Sequence, residues 1–230
     1  MNKGLPVFFW RIFFSVFFIS ICHNGYSQNS AVSEPEGQIS INDKEPETVP
    51  HFTLKNENAT IGKKWLHAEK YIGGLEFGTL GILMMMPPSV TKWESGFIDD
   101  ALGNLKEAFT RPPIWDKDDF SLNYIAHPYC GAVYYNAIRS QGATKRQSFI
   151  YTAVQSTIWE YVIEGVAERP SIQDLIITPA AGYFMGEMIH KATLKMRRNG
   201  FTFLEKIAII ILNPMYVANN SFRTPRSIVR

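Results

Sequence analysis

Between Trp115 and Glu187 the chain places several side chains that could move protons or hold a ligand. His127 directly precedes Pro128, with Asn123 one turn before it and Arg139 further along the same segment. A neutral imidazole at a helix start can act as a general base or a metal ligand once a carboxylate from another helix orients it, although capping or a core hydrogen bond is the commoner role. Thr152, Ser156, Glu160, Glu164 and Glu168 recur every four positions and draw a slanted polar stripe on an otherwise apolar helix. Such a helix should be well buried, with the stripe facing either an internal groove or solvent. Ser171-Ile172-Gln173-Asp174 has capping-box spacing.

These patterns make His127, Glu160 and Glu164 the candidate catalytic residues. Asn123, Arg139, Ser156, Asp174 and Glu187 are the candidate binding residues. His127, Glu160 and Asp174 are expected to meet on one groove, joined by Glu164 or Glu187. No metal is expected: Glu187-Met188-Ile189-His190 is a single Glu-x-x-His, whereas a helical di-iron site needs a second pair and two further carboxylates. Cys22 and Cys130 are too few for an all-cysteine zinc site. A glycine-rich phosphate loop, a nucleophile elbow and a zinc-protease motif are all missing, and the sequence leaves the cofactor unknown.

The elements that must position these residues read as helices. An apolar segment from about Gly62 to Met86 stops at Pro87-Pro88, and another runs from about Glu94 to Thr110. His127-Pro128 places a helix start with Pro128 in the first turn. The striped helix runs from about Ser148 to Glu168. A short helix opened by Ser171 is expected to be interrupted at Thr178-Pro179. The helix after it ends in Lys195, Arg197 and Arg198, with Gly200 as the left-handed cap. A last helix spans about Phe203 to Leu212, before a basic tail. Gly182 and Gly186, four apart, suit close approach of a neighbouring helix. Strand patterns are scarce, so the expected fold is an all-α compact bundle of about five to six helices.

With 23 Lys+Arg against 21 Asp+Glu, the 230-residue chain lacks the charge of an electrostatic nucleic-acid binder. Residues 1–27 have the three parts of a secretory signal: Lys3 and Arg11, an apolar run from Ile12 to Ile21, and small residues at Gly25 and Ser27. Residues 28–60 are acidic and proline-bearing, the composition of a disordered linker, which leaves 61–230 as the helical domain. The expected address is the periplasm or an outer-membrane-associated position. Every long apolar run is interrupted by a polar residue or proline, so membrane contact is expected to be peripheral.

Asn123-Tyr124-Ile125-Ala126-His127-Pro128, Gly131, Ser156 to Glu160, Glu164, Pro170 to Leu175, Thr178-Pro179 and Gly182 to Glu187 occur in that order. Over about residues 115–214 this resembles an uncharacterised family of exported bacterial envelope proteins, a domain of unknown function. The resemblance implies a helical envelope domain and supplies no reaction. The order His127, Glu160, Ser171, Asp174, Gly182 is more loosely similar to VanZ-like membrane proteins, although those have plainly membrane-spanning segments. Two functions follow as expectations: an envelope protein binding a lipid, a membrane surface or a protein partner, or a hydrolase of a lipid or cell-wall molecule using His127 with Glu160 or Glu164.

Overall fold

The computed structural model describes residues 54–94, 96–198 and 200–223, so the expected export signal and most of the expected linker lie outside the described residues. Within them the fold is all-α, and the sole extended pairing is one bridge between Ile114 and Ser171. The α-helices are α1 (Ile61–Met84), α2 (Pro88–Thr91), α3 (Ala101–Thr110), α4 (His127–Arg139), α5 (Lys145–Ile158), α6 (Ile172–Arg198), α7 (Phe203–Leu212) and α8 (Pro214–Asn220). That is two or three more than expected, because α2 and α8 are short proline-started helices with no periodicity to betray them.

α4 and α6 form the centre. At their crossing the backbones nearly touch: a Cβ built on Gly131 would lie 2.0 Å from the carbonyl oxygen of Thr178, and one built on Gly182 would lie 2.5 Å from the carbonyl carbon of Gly131. Only glycine on both sides allows this approach. The crossing also explains why α6 is one helix of 27 residues with Pro179 inside it, where the sequence suggested an interruption. Proline removes one donor, but the flanking Thr178 and Gly182 are buried against α4, and that packing holds the helix together. Gly200 takes the expected left-handed φ of 77° after the basic end of α6.

Two π-helical turns shape the polar side chains. Leu122–Ala126 runs straight into α4, so winding begins before the expected start at Pro128, and the His127 N–H bonds back to the carbonyl of Leu122. Trp159–Ile163 continues α5, followed by a 3-10 turn, Glu164–Val166. A four-residue period outruns the 3.6-residue turn, so the polar stripe drifts round the helix, and the wider π turn reverses part of that drift. Thr152, Ser156 and Glu160 consequently all face inward and are buried. The helix itself begins at Lys145, three residues earlier than expected, with a capping box between Thr144 and Gln147.

The far end of α4 is tied down by amides. Gln141 donates to the carbonyls of Lys64 and Ala137, and Asn219 and Asn220 on α8 donate to Ala137, Ser140 and the Ser140 carbonyl. Lys55 and Asn56 join this seam through Asn220 and Gln141, so the expected linker ends as part of the packed domain.

α1 lies on α4 along one narrow ridge of Lys64, Ala68, Ile72 and Glu76. Burial pushes the Glu76 carboxyl up to about 7; the hydrogen bond with Tyr134 opposes this and Glu69 adds to it. Because the folded value lies above the unfolded one, the group stabilises fully below about pH 4.5, and that contribution is lost as pH rises through about 7. Glu76→Gln should therefore unfold at higher urea than the parent at pH 8.5, by about 2 to 3 kcal/mol, with little difference at pH 4.5. Parallel pH profiles for the two proteins would contradict this.

A buried histidine–carboxylate centre

Three helices and one loop deliver the candidate site. Ile114 accepts from the Ile172 N–H at 2.8 Å and donates to the Pro170 carbonyl at 2.9 Å, which staples the loop after α3 to the start of α6. That staple brings Asp116 to Ser171, whose hydroxyl donates to Asp116 Oδ2. Asn123, inside the first π turn, donates to Asp116 Oδ1 at 2.7 Å, and the Asp118 N–H donates to the same oxygen at 3.0 Å. Burial pushes the Asp116 carboxyl up, but these hydrogen bonds outweigh it and hold the group below the ordinary range.

Glu160, carried inward by the second π turn, accepts the backbone N–H of Ser171 at 2.7 Å through Oε2. Its other oxygen is buried and makes no hydrogen bond. Asp174 stands one turn into α6, with its N–H donating to Ser171 Oγ at 3.2 Å. Ser156 fixes the same turn by donating to the Asp174 carbonyl at 3.2 Å. The Asp174 side chain points at His127, with Nδ1 to Oδ1 at 3.5 Å, and His127 Nδ1 also lies 3.1 Å from Thr178 Oγ1.

The electrostatics follow from burial. Loss of water lowers His127 to about 4, so its imidazole is neutral near pH 7; Asp116 opposes the shift. Desolvation pushes Asp174 up to about 8, against the Ser171 hydrogen bond and with the help of Asp116. Burial likewise raises Glu160, against the Ser171 N–H and with the help of the Asp174, Glu168 and Asp116 charges, and it raises Glu164 together with the Glu160 and Glu168 charges. Glu164 adjoins the centre and accepts from Trp159 Nε1 at 2.7 Å; Glu168 accepts from Trp93 Nε1 at 3.1 Å.

The other sequence candidates go elsewhere. Glu187 is 13 residues, about 20 Å of helix, beyond Asp174 on α6. There it accepts from Arg139 Nε at 2.9 Å and from the Tyr135 hydroxyl at 2.8 Å. Arg139 likewise stands at the far end of α4 from His127. His190 is buried and lowered to about 4 by desolvation, well away from any second Glu-x-x-His. Burial pushes the Cys130 thiol up to about 12, so it is an inert packing residue rather than an activated one. Sequence reasoning missed Asp116, which sits in a loop with no periodic or capping pattern; only the bridge to Ser171 reveals it.

The chain thus contains an all-α domain with a polar interior and a buried histidine–carboxylate centre. Residues 112–215, which supply every member of that centre, match a family described as a domain of unknown function (DUF3943). Neither the curated proteins nor the solved structures include a match to the chain.

Proposed function

We propose that this protein is a lipid-surface domain, seated on an anionic membrane face with its polar interior turned away from the lipid. The observation that carries this is the inverted polarity of α5 and α6. The buried faces of α5, the π turn that continues it and α6 hold Thr152, Ser156, Glu160, Asp174 and Thr178, whereas Phe149, Ile150, Val162, Ile176, Phe184 and Met188 are exposed. Water would favour the opposite arrangement, and exposed apolar patches of this extent mark a lipid or partner surface. Between α5 and α6 an open groove of about 500 Å³ is walled by Phe149, Ala180, Tyr183 and Phe184 and rimmed by Lys145 and Arg146. Cations beside an apolar trough suit an anionic headgroup above its acyl chains. No helix among the described residues is long and apolar enough to cross a membrane, so the contact proposed is interfacial.

Flotation of the full chain with vesicles tests this. It should rise with phosphatidylglycerol vesicles, rise less with phosphatidylcholine alone, and be released by alkaline carbonate. Phe149→Ser combined with Phe184→Ser should abolish flotation while leaving the helical fold intact. A chain that stays at the bottom with both vesicle types contradicts the proposal.

A second function, hydrolysis, draws support from the convergence of His127 with Asp174 and Glu160. A neutral imidazole beside a carboxyl group can accept a proton, and substrate binding would have to raise the His127 value from about 4 towards the working pH for efficient base catalysis. Its sign would be a hydrolytic activity on lipid or cell-wall material that His127→Gln eliminates without unfolding the chain.

A further inference from the structure

We propose that His127, Glu160 and Asp174 form the binding site for one divalent transition-metal ion of the Zn2+ or Mn2+ type. The inference stands independently of the lipid surface. Each residue offers one donor atom, and the three donors lie within 4.8 Å of one another. Ligands around a tetrahedral zinc at about 2.0 to 2.2 Å lie about 3.3 to 3.6 Å apart, so side-chain rotations that move the donors by about an ångström close the set.

A second observation points to a ligand. Glu160 and Asp174 are each 3% exposed, and Glu160 Oε1 and Asp174 Oδ1 have no hydrogen-bond partner. Buried carboxylate oxygens normally find a donor; Asp174 Oδ1 lies 3.5 Å from His127 Nδ1, and Glu160 offers a carboxylate oxygen within 4.8 Å of donors on both. Charge balance agrees. Asp116, Glu160, Glu164, Glu168 and Asp174 make no ion pair with a lysine or arginine among the described residues, so no protein cation competes for these oxygens, and a bound metal would take the place of the protons they hold.

The surroundings resemble a supporting shell. The Ser171 N–H fixes Glu160, and the Ser171 hydroxyl is fixed by Asp116. Hydrogen bonds of this kind orient metal ligands. One imidazole with two carboxylates favours a borderline transition ion over Mg2+ or Ca2+, which prefer all-oxygen sites. Three protein ligands also leave a coordination position open, the arrangement of metal sites that bind an exogenous molecule. The ligands come from three different helical segments, so no local spacing in the sequence could have announced them.

The test uses full-length protein stripped with a chelator and then titrated calorimetrically with Zn2+ alone, Mn2+ alone and Mg2+ alone. One Zn2+ or Mn2+ should bind per chain, far more tightly than Mg2+. Glu160→Gln and Asp174→Asn should lose stoichiometric binding, Ser171→Ala should weaken it about tenfold, and Glu107→Gln on exposed α3 should leave it unchanged. Should either ligand variant fail to fold, Co2+ added to the unmodified chain provides the readout. Visible bands of nitrogen and oxygen coordination should then appear and vanish when Zn2+ is added. The proposal is overturned if the parent protein binds neither ion, if Mg2+ binds equally well, or if folded ligand variants bind as the parent does. Thiolate charge-transfer bands in the Co2+ spectrum would overturn it too, because they would place the ion on cysteine.

Discussion

Gly131→Ala should destabilise the protein by about 3 kcal/mol or more, the upper range for forcing atoms into a packed interior. The new methyl would sit 2.0 Å from the Thr178 carbonyl oxygen, and that neighbour is helix backbone, which cannot rotate aside. Gly182→Ala meets the same obstacle from the other side, within 2.5 Å of the Gly131 carbonyl carbon. Either change must push α4 and α6 apart. Thr178 lies at this crossing and touches His127, so the centre should loosen together with the fold. The glycines of α1 provide the control: a Cβ at Gly74 or Gly78 would meet nothing within 4 Å. Alanine there should be neutral or stabilising by about 0.5 to 1 kcal/mol, because it restricts the unfolded chain. Urea unfolding of the four variants checks the contrast, and equal stability of Gly131→Ala and Gly74→Ala would refute the close crossing.

Arg139→Met should cost about 2 to 4 kcal/mol near pH 7, as expected when one partner of a mostly buried ion pair is removed. Burial alone would push the Glu187 carboxyl up. Hydrogen bonds from Arg139 and Tyr135, together with the Arg139 charge, outweigh it and hold the group below its ordinary range. A folded value below the unfolded one means that Glu187 stabilises above about pH 4.5, and that this is lost as pH falls through the folded value. The Arg139→Met deficit should therefore be full above about pH 5 and shrink as pH falls through the lowered folded value of the parent, below which the carboxyl is protonated in both proteins. Lys145 at 3.6 Å and Lys191 at 4.0 Å, both largely exposed, can replace only part of the lost interaction. Urea titrations at pH 7 and pH 3 decide it; a deficit that does not depend on pH would locate the role of Arg139 in packing alone.

Much of this architecture was legible in the sequence because it rests on local chemistry. Proline pairs, Gly200 and the Ser171 cap mark the ends of helices whose fates are settled within a turn. The same local signals misled at Pro179, where packing of Thr178 and Gly182 against Gly131 outweighs the missing donor. His127, Glu160 and Asp174 could be brought together on paper because short connections force α4, α5 and α6 to lie side by side. Asp116 could not, since its place depends on a bridge between distant residues, Ile114 and Ser171. The π turns were equally hidden: the winding that turns Glu160 inward depends on what the stripe packs against. The apolar face of α5 is expected inside because apolar residues dominate that helix, while α6 carries no such expectation. Both apolar faces lie outside because the four-residue polar stripe fits the crossing with α6 and the aromatic side chains do not.

The orientation of those apolar faces can be measured directly. In the full chain with Cys22→Ser and Cys130→Ser, a polarity-sensitive fluorophore attached at Phe184→Cys, on the exposed face of α6, reports its own surroundings. On addition of phosphatidylglycerol vesicles its emission should shift to the blue and become quenchable by brominated acyl chains, since a lipid-facing α6 immerses that position. An emission that stays aqueous while vesicles are present in excess would contradict a membrane-seated domain.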